Sequence, residues 1–397
     1  KYMSAKKPGW KMVKFGDVVR QCKESVDRNN NPYERYVEGG HMDSEDIHIH
    51  RWGEFGVDYV GPAFHRVFRK GQVLYGSRRT YLKKIAVADF DGIAANTTFV
   101  CETKDKQVLM QELLPFLMLT CAFTEHSIKE SKGSTNPYIN WPDIAKYEFP
   151  LPPLEEQQRI AKILWAAENT KQRYKCVTNK LKKLAGVIST HFKDHPRVEL
   201  LPMGNMVRDK EVSIINGPFG TQLKASSYQK KGVPLVNPTH IHDGKLDFEG
   251  CPKISDVDVN RLSRYVANEG DVIIGRKGDM DKVLLIDKET NGVVAGTDCL
   301  RIRLASMKIL PRFFYYWITS PVIYDWLTRF AHGTTMPGIN EKTMHLLTVP
   351  LLSKDDQSFF INKLDMINSQ LAKANEHVNR TVRMQQSIME HLLALKE

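Results

Sequence analysis

Short apolar runs punctuated by turn residues mark two stretches of the chain. "GQVLYGS", "KKIAVADF" and "TTFVCET" between residues 71 and 104 are rich in β-branched and aromatic residues and bounded by glycine and aspartate, which predicts three half-buried strands. "GDVIIGR", "KVLLID" and "CLRIRLA" between residues 270 and 305 predict three more. Helical stretches lie among them, such as "LPFLMLTCAFTEHSIKES" and "PRFFYYWITSPVIYDWLTRF". Each region reads as mixed α/β, with the strand order open.

After each region the period changes. Ile160, Leu164, Ala167, Tyr174, Leu181, Ala185 and Ile188 step mostly by four and then three, as do Phe360, Leu364, Ile367, Leu371, Ala374, Val378, Ile388, Leu392 and Leu395. That is a heptad seam and predicts two long helices. Polar residues interrupt it at Lys171 and Thr178 in the first helix and at Thr381 and Gln385 in the second. At about 1.5 Å per residue, Glu155 to Phe192 would span roughly 57 Å. Pro152 and Pro153 precede the acidic first turn Glu155-Glu156, and Ser353 stands three before Asp356 at capping-box spacing. Helices so long and half apolar need a partner for the seam, and each other's seam is the nearest available.

The two halves repeat. "GSTNPYIN" (133–140) returns as "GTTMPGIN" (333–340), and "FPLPPLEEQQRIAKIL" (149–164) lies over "VPLLSKDDQSFFINKL" (349–364) at the same offset of 200, matching Gln157 with Gln357. Upstream the offset is 199: "GQVLYGSRR" (71–79) lies over "GDVIIGRKG" (270–278), and "YVEGGHM" (36–42) over "LVNPTHI" (235–241), with His41 on His240. A one-residue slip is ordinary loop variation. The organisation is therefore α/β module, long helix, α/β module, long helix. The boundaries fall at 1–152, 153–195, 196–352 and 353–397. If the helices pair antiparallel, an approximate two-fold axis relates the modules. Each would then address its own half-site on duplex DNA, with an unread spacer between.

Charge makes nucleic acid the expected partner. The 397 residues carry a net charge of +11, with 42% hydrophobic residues, which favours a polyanion. In the first module, residues 62–84 hold Arg66, Arg69, Lys70, Arg78, Arg79, Lys83 and Lys84 with no Asp or Glu, interleaved with Phe68, Tyr75 and Tyr81 and including Thr80. In the second, Thr221, Gln222, Lys224, Lys230, Lys231, Arg276 and Lys277 occupy glycine-bracketed turns. Arginine pairs with guanine, glutamine with adenine, and lysine mainly holds phosphate. The repeated loops add Ser134, Thr135, Thr334 and Thr335, either beside a phosphate or as part of a folding device. Gly133 supplies a tight turn there, and Asn140 and Asn340 are placed to cap the helices that follow. Between Arg159 and Lys193 the first helix carries nine Lys or Arg against Glu168 alone, a face for spacer DNA or an acidic partner surface.

Catalytic chemistry is hard to find. There is no G-x-G-x-x-G and no G-x-x-x-x-G-K-[ST]. "NNPY" (30–33) and "TNPY" (135–138) each lack one proline of an N-P-P-Y loop. "HMDSEDIHIH" (41–50) gathers His41, Asp43, Glu45, Asp46, His48 and His50, but the alternation at His48-Ile49-His50 reads as a strand rather than a metal site. The six cysteines lie apart without a C-x-x-C pair, which fits a reducing compartment. No apolar stretch reaches the roughly 20 residues of a membrane helix, and "KYMSAKKPGW" lacks the apolar core of a signal peptide.

"PLPPLEEQQRIAKIL", "VLYGSRRTYLKKIAVADFDGIAANTTFV", "KGSTNPYIN" and "GPFGTQLK" together resemble the specificity (S, HsdS) subunit of type I restriction-modification systems, over nearly the whole chain and in the expected order. The second helix start departs, with Leu352 and Ser353 in place of the double proline. The resemblance implies two α/β (mixed α+β) target recognition domains in tandem pseudo-repeat, separated by two long antiparallel coiled-coil helices whose contacts include Ile160, Leu164, Leu181, Leu364, Ile367, Leu371, Val378 and Ile388. It further implies a cytoplasmic, non-catalytic reader of double-stranded DNA that docks two methyltransferase (M) subunits and is joined by restriction (R) subunits. S-adenosylmethionine, ATP and Mg are expected on those partners, with no cofactor and no metal on this chain. The alternatives are a stand-alone DNA-modifying enzyme and a scaffold that reads no DNA.

Overall fold

The structure, a computed structural model, describes residues 9–27, 30–219, 222–278, 280–306, 308–330 and 338–393. The chain divides into two compact units, residues 1–175 with 375–397 and residues 176–374.

The first unit comprises β1 (Lys11–Lys14), α1 (Phe15–Val18), β2 (Val19–Cys22), β3 (Arg35–Val37), β4 (Gly53–Glu54), β5 (Phe64–Phe68), β6 (Val73–Gly76), β7 (Ile85–Val87), β8 (Gly92–Ala95), β9 (Thr98–Thr103), α2 (Leu114–Leu119), α3 (Cys121–Lys129), α4 (Trp141–Ile144), β10 (Glu148–Leu151) and the start of α5 (Leu154–Thr190). One antiparallel sheet has the order β2-β9-β6-β7; a second, β4-β3-β8-β5, contains the parallel pair β3/β8; β1 pairs with β10. The run Val73-Leu74-Tyr75 is apolar throughout because both faces of β6 are covered. Val73 and Tyr75 join a core with Phe15, Phe99 and Phe123, while Leu74 joins another with Val37, Phe68 and Val100.

The second unit repeats this plan with the end of α5, then β11 (Glu199–Pro202), α6 (Met203–Arg208), β12 (Val212–Asn216), β13 (Val233–Val236), β14 (Ile241–His242), β15 (Lys245–Leu246), β16 (Lys253–Ile254), α7 (Asp256–Arg261), β17 (Val272–Gly275), β18 (Val283–Leu285), β19 (Val294–Ala295), β20 (Cys299–Leu304), α8 (Pro311–Ile318), α9 (Pro321–Phe330), α10 (Glu341–His345), β21 (Thr348–Leu351) and the start of α11 (Lys354–Leu393), whose end belongs to the first unit. Its sheet β12-β20-β17-β18 matches β2-β9-β6-β7, and its sheet β16-β13-β19 matches β4-β3-β8, with the parallel pair β13/β19 in place of β3/β8 and no counterpart of β5 among the described residues. Val272 and Ile274 again face one core and Ile273 the other. The six strands expected from sequence all form. The helical stretch expected within each module is instead two helices. Thr120, at φ −60° and ψ 150°, stops α2 and accepts the Phe123 N–H at 3.2 Å to cap α3. Ser320 separates α8 from α9 in the same way, accepting the Ile323 N–H at 3.4 Å.

The heptad seam is buried within each unit. In the first, Ile160, Leu164, Ala167 and Lys171 are buried, and α11 runs antiparallel to α5. Gln385 donates to the Leu164 carbonyl at 3.3 Å and to Glu168 at 3.0 Å, while Tyr174 stacks on His377 at 4.6 Å. Val378 and Ile388 are half-buried on this face. In the second unit Leu364, Ile367 and Ala374 are buried, Leu181 and Leu371 are half-buried, and Phe192 meets Phe360 at 4.9 Å, again antiparallel. The helix starts also pack on their own modules: Ile160, Ala161 and Leu164 share the core of Phe116 and Phe149. Ser353 caps α11 as expected, accepting the Asp356 N–H at 3.1 Å. Leu395 lies outside the described residues.

Candidate nucleic-acid interface

In the first unit the repeated loop docks on the basic turn. Lys132 and Tyr138 exchange main-chain hydrogen bonds at 2.7 and 2.9 Å, closing a hairpin in which Gly133 takes φ +86° and Ser134 and Thr135 are exposed. The hairpin is fastened to the chain leaving β6: the Ile139 N–H donates to the Ser77 carbonyl at 2.9 Å, and the Arg79 N–H to the Pro137 carbonyl at 2.6 Å. These bonds fix Arg78 and Arg79 with both side chains exposed, and the Arg78 guanidinium lies 5.7 Å from the centre of the Tyr138 ring. Arg79 holds φ +48°, a left-handed conformation unusual for a residue with a side chain. Thr80 is buried, its hydroxyl 3.2 Å from that of Ser131.

The other basic residues of this stretch are more engaged than the sequence suggests, because acidic groups arrive from elsewhere in the chain. Lys83 pairs with Glu45 at 2.7 Å, Lys84 donates to the Gly39 carbonyl, and Arg69 pairs with Glu24 and Asp91. Arg66, on β5, is half-buried and Lys70 exposed. Arg66, Arg69 and Lys70 thus form a group on β5 and its turn, distinct from the Arg78–Arg79 turn.

Among the described residues, the second unit repeats the fastening at the turn. The Ile339 N–H donates to the Arg276 carbonyl at 2.8 Å, Lys277 bridges to Gly338, and Gly278 takes φ +76° where the first unit has Arg79. Asn340 caps α10 by accepting the Thr343 N–H at 3.0 Å, whereas Asn140 precedes α4 without a side-chain cap. The side chains differ. Arg276 donates to Asn216 at 3.2 Å and lies 5.8 Å from the exposed Phe219 ring, and Lys277 pairs with Asp298 at 3.2 Å. The Gln222 amide oxygen accepts from Tyr265 at 2.8 Å and from the Phe219 N–H at 3.3 Å, which braces its own loop. Lys224, Lys230 and Lys231 are exposed. Thr221, Thr334 and Thr335 lie outside the described residues.

A further polar cluster in the first unit was read from sequence as a strand. Ile49 makes only an isolated bridge, with Met42, and the flanking His48 joins Asp46 and Glu168 of α5, their ligand atoms within 4.8 Å of one another. These three could hold a cation, but the cluster already carries positive charge. Lys171 sits 2.7 Å from Glu168, Lys175 2.9 Å from Asp46, and Gln172 donates to Asp46 at 3.2 Å and to Glu168 at 3.0 Å. Hydrogen bonds to Asp46 and Glu168 push the His48 imidazole up to about 9. Burial alone would raise both carboxyls; the bonds from His48, with Lys175 and Lys171, hold Asp46 well below its usual range and Glu168 down to about 2. Lys171 therefore lies in the seam rather than on the exposed basic face of α5, where Arg173, Lys180, Lys182 and Lys183 remain.

Sequence reasoning missed the role of Tyr138 as a platform for Arg78 and the union of Asp46 with Glu168, since neither pairing has a local signal. It noticed that His41 matches His240. Both are turn devices: each ring Nδ1 accepts a main-chain N–H three residues earlier, Glu38 at 3.3 Å and Asn237 at 3.1 Å.

A family model described as type I restriction modification DNA specificity domain matches residues 7–183 and 207–377. The chain is 24% identical over 321 residues to the type I restriction enzyme MjaVIII specificity subunit of Methanocaldococcus jannaschii, covering 77% of this chain and 74% of that one. To the EcoBI specificity subunit of Escherichia coli it is 24% identical over 270 residues, covering 62% of this chain and 56% of that one. In fold it is similar to the crystal structure of a type I restriction-modification S subunit from M. genitalium, with a TM-score of 0.59 at 12% identity over 98% of this chain and 97% of that one. Among the described residues no helix is long and apolar enough to cross a membrane.

Proposed function

This chain belongs to the type I restriction modification DNA specificity family, whose domain it carries twice, and from that premise we propose that it is the DNA-reading subunit of a type I restriction-modification complex. Each unit reads one half of a bipartite target. The single observation that supports this most directly is the joint described above. The residue that follows the repeated loop is fastened to the same turn in both units, at Ile139–Ser77 and at Ile339–Arg276, while the side chains on that turn differ. A shared scaffold with unlike side chains is what two readers of unlike half-sites require.

The remaining roles follow the same reading. The paired helices α5 and α11 set the spacer and dock two methyltransferase subunits, with restriction subunits joining them in the bacterial or archaeal cytoplasm. The chain itself is non-catalytic; S-adenosylmethionine, ATP and Mg act on the partners. Methylation mapping in cells carrying this chain and its methyltransferase subunit tests the proposal. A two-part motif with a fixed gap is the expected result. A single uninterrupted motif, or methyl transfer by the purified chain alone, overturns it.

A further inference from the structure

The two copies of the joint differ at one position in a way that assigns them different tasks. Position 78 of the first unit corresponds to position 277 of the second: both follow the inner strand of the sheet, and both bridge the repeated loop, at Tyr138 and at Gly338 respectively. In the first unit the position is an exposed arginine resting on the Tyr138 ring at 5.7 Å. A guanidinium is a rigid fork that matches the O6 and N7 acceptors of guanine, and a ring beneath it restricts the directions it samples before DNA arrives. In the second unit the position is a lysine, a single rotatable point charge, paired with Asp298 at 3.2 Å; the residue in the place of Tyr138 has no side chain. Arg276, one residue earlier, is turned onto Asn216.

We infer that Arg78 reads a guanine in the half-site of the first unit, with Tyr138 as its positioning residue, and that Lys277 at the matching place holds a phosphate and reads no base. This rests on the DNA-reading function proposed above. The first half-site therefore contains a G·C pair at the position facing this joint, and the second half-site has no base requirement traceable to it.

The test uses the complex of the full chain with its methyltransferase subunits on a DNA library varied at every target position. Arg78→Ala should weaken the cognate target roughly 5- to 150-fold, flatten the preference at one base pair and change non-specific binding little. Arg78→Lys should not restore that preference, and Tyr138→Gly should lower it partially. Replacing the guanine with 7-deazaguanine should cost the wild type a comparable factor and cost Arg78→Ala nothing further. Lys277→Gln should weaken all sequences alike and reduce the salt slope by about one. The inference is overturned if Arg78→Ala acts uniformly with a flatter salt slope, if it has no effect, if Arg78→Lys retains full selectivity, or if Lys277→Gln relaxes one base position. If the wild-type complex has no base preference at all, the DNA-reading function falls and this inference with it.

Discussion

The side-chain oxygen of Gln157 accepts the main-chain N–H of Met110 at 2.9 Å, while its nitrogen donates to the carbonyls of Val108 at 2.8 Å and Pro152 at 2.9 Å. Gln357 makes the same three bonds, to Leu310, Lys308 and Leu352. Both glutamines are fully buried and stand in the first turn of a long helix, so each ties the helix start to the loop before α2 or α8. Gln157→Ala removes three hydrogen bonds to the main chain, of which only the one to Pro152 is buried, and should cost about 2 kcal/mol. Denaturant unfolding with hydrogen exchange would show the loss concentrated in the first unit, and Gln357→Ala would show it in the second. A loss below about 1 kcal/mol in both would mean that water or relaxation replaces the bonds.

Arg79 at φ +48° stands where the second unit has Gly278 at φ +76°. Left-handed backbone costs a residue with a Cβ roughly 1–2 kcal/mol, and glycine's extra freedom in the unfolded chain offsets about half of that. Arg79→Gly should therefore leave the melting temperature unchanged or slightly higher, yet lower DNA affinity several-fold. Unchanged affinity would show that the side chain has no part in DNA contact.

The Asp46–His48–Glu168 cluster makes the first unit sensitive to pH at both ends. His48 is raised from 6.5 to about 9, so its contribution is complete below about pH 6.5 and is lost as pH rises through 9. Glu168 is lowered from 4.5 to about 2, so its contribution is present above about pH 4.5 and is lost as pH falls through 2. Lys171 and Lys175 are the cations beside it, and His50 also contacts Asp46. His48→Gln should flatten the stability profile between pH 6.5 and 9 and also weaken the acid limb, because the His48 bond is the foremost of those that hold Glu168 down. Thermal melts across that range decide it, and an unaltered alkaline slope would count against the coupling.

Lys182 and Lys183 are both exposed on α5. Reversing both to glutamate should weaken DNA binding or assembly with the methyltransferase subunits, seen in mobility shift or size-exclusion chromatography. Unchanged behaviour in both assays would remove this face from either role.

What could be read in advance was whatever is local or repeats. Ile160, Leu164 and Leu364 announced the seam through their spacing, and β6 and β17 through continuous apolar runs. The order β2-β9-β6-β7 was not legible, because it joins segments far apart in sequence whose pairing is fixed by packing on both faces. The two helix breaks escaped because Thr120 and Ser320 interrupt the helices by hydrogen-bonding their own main chain, a competition that apolar periodicity does not register. The basic stretch 62–84 was legible as charge but not as availability, since Glu24, Glu45 and Asp91 reach it only in the folded unit.

The first unit is assembled from residues 1–175 and 375–397, whereas the second is the uninterrupted segment 176–374. Translation delivers residues in order, so the later-made unit has all its parts before the earlier-made one does. Until Ile388, Met389 and Glu390 emerge to cover α2 and α3, the N-terminal sheets wait with an uncapped apolar flank. The N-terminal module is thus closed by a helical strap that is synthesised after the whole of the second unit.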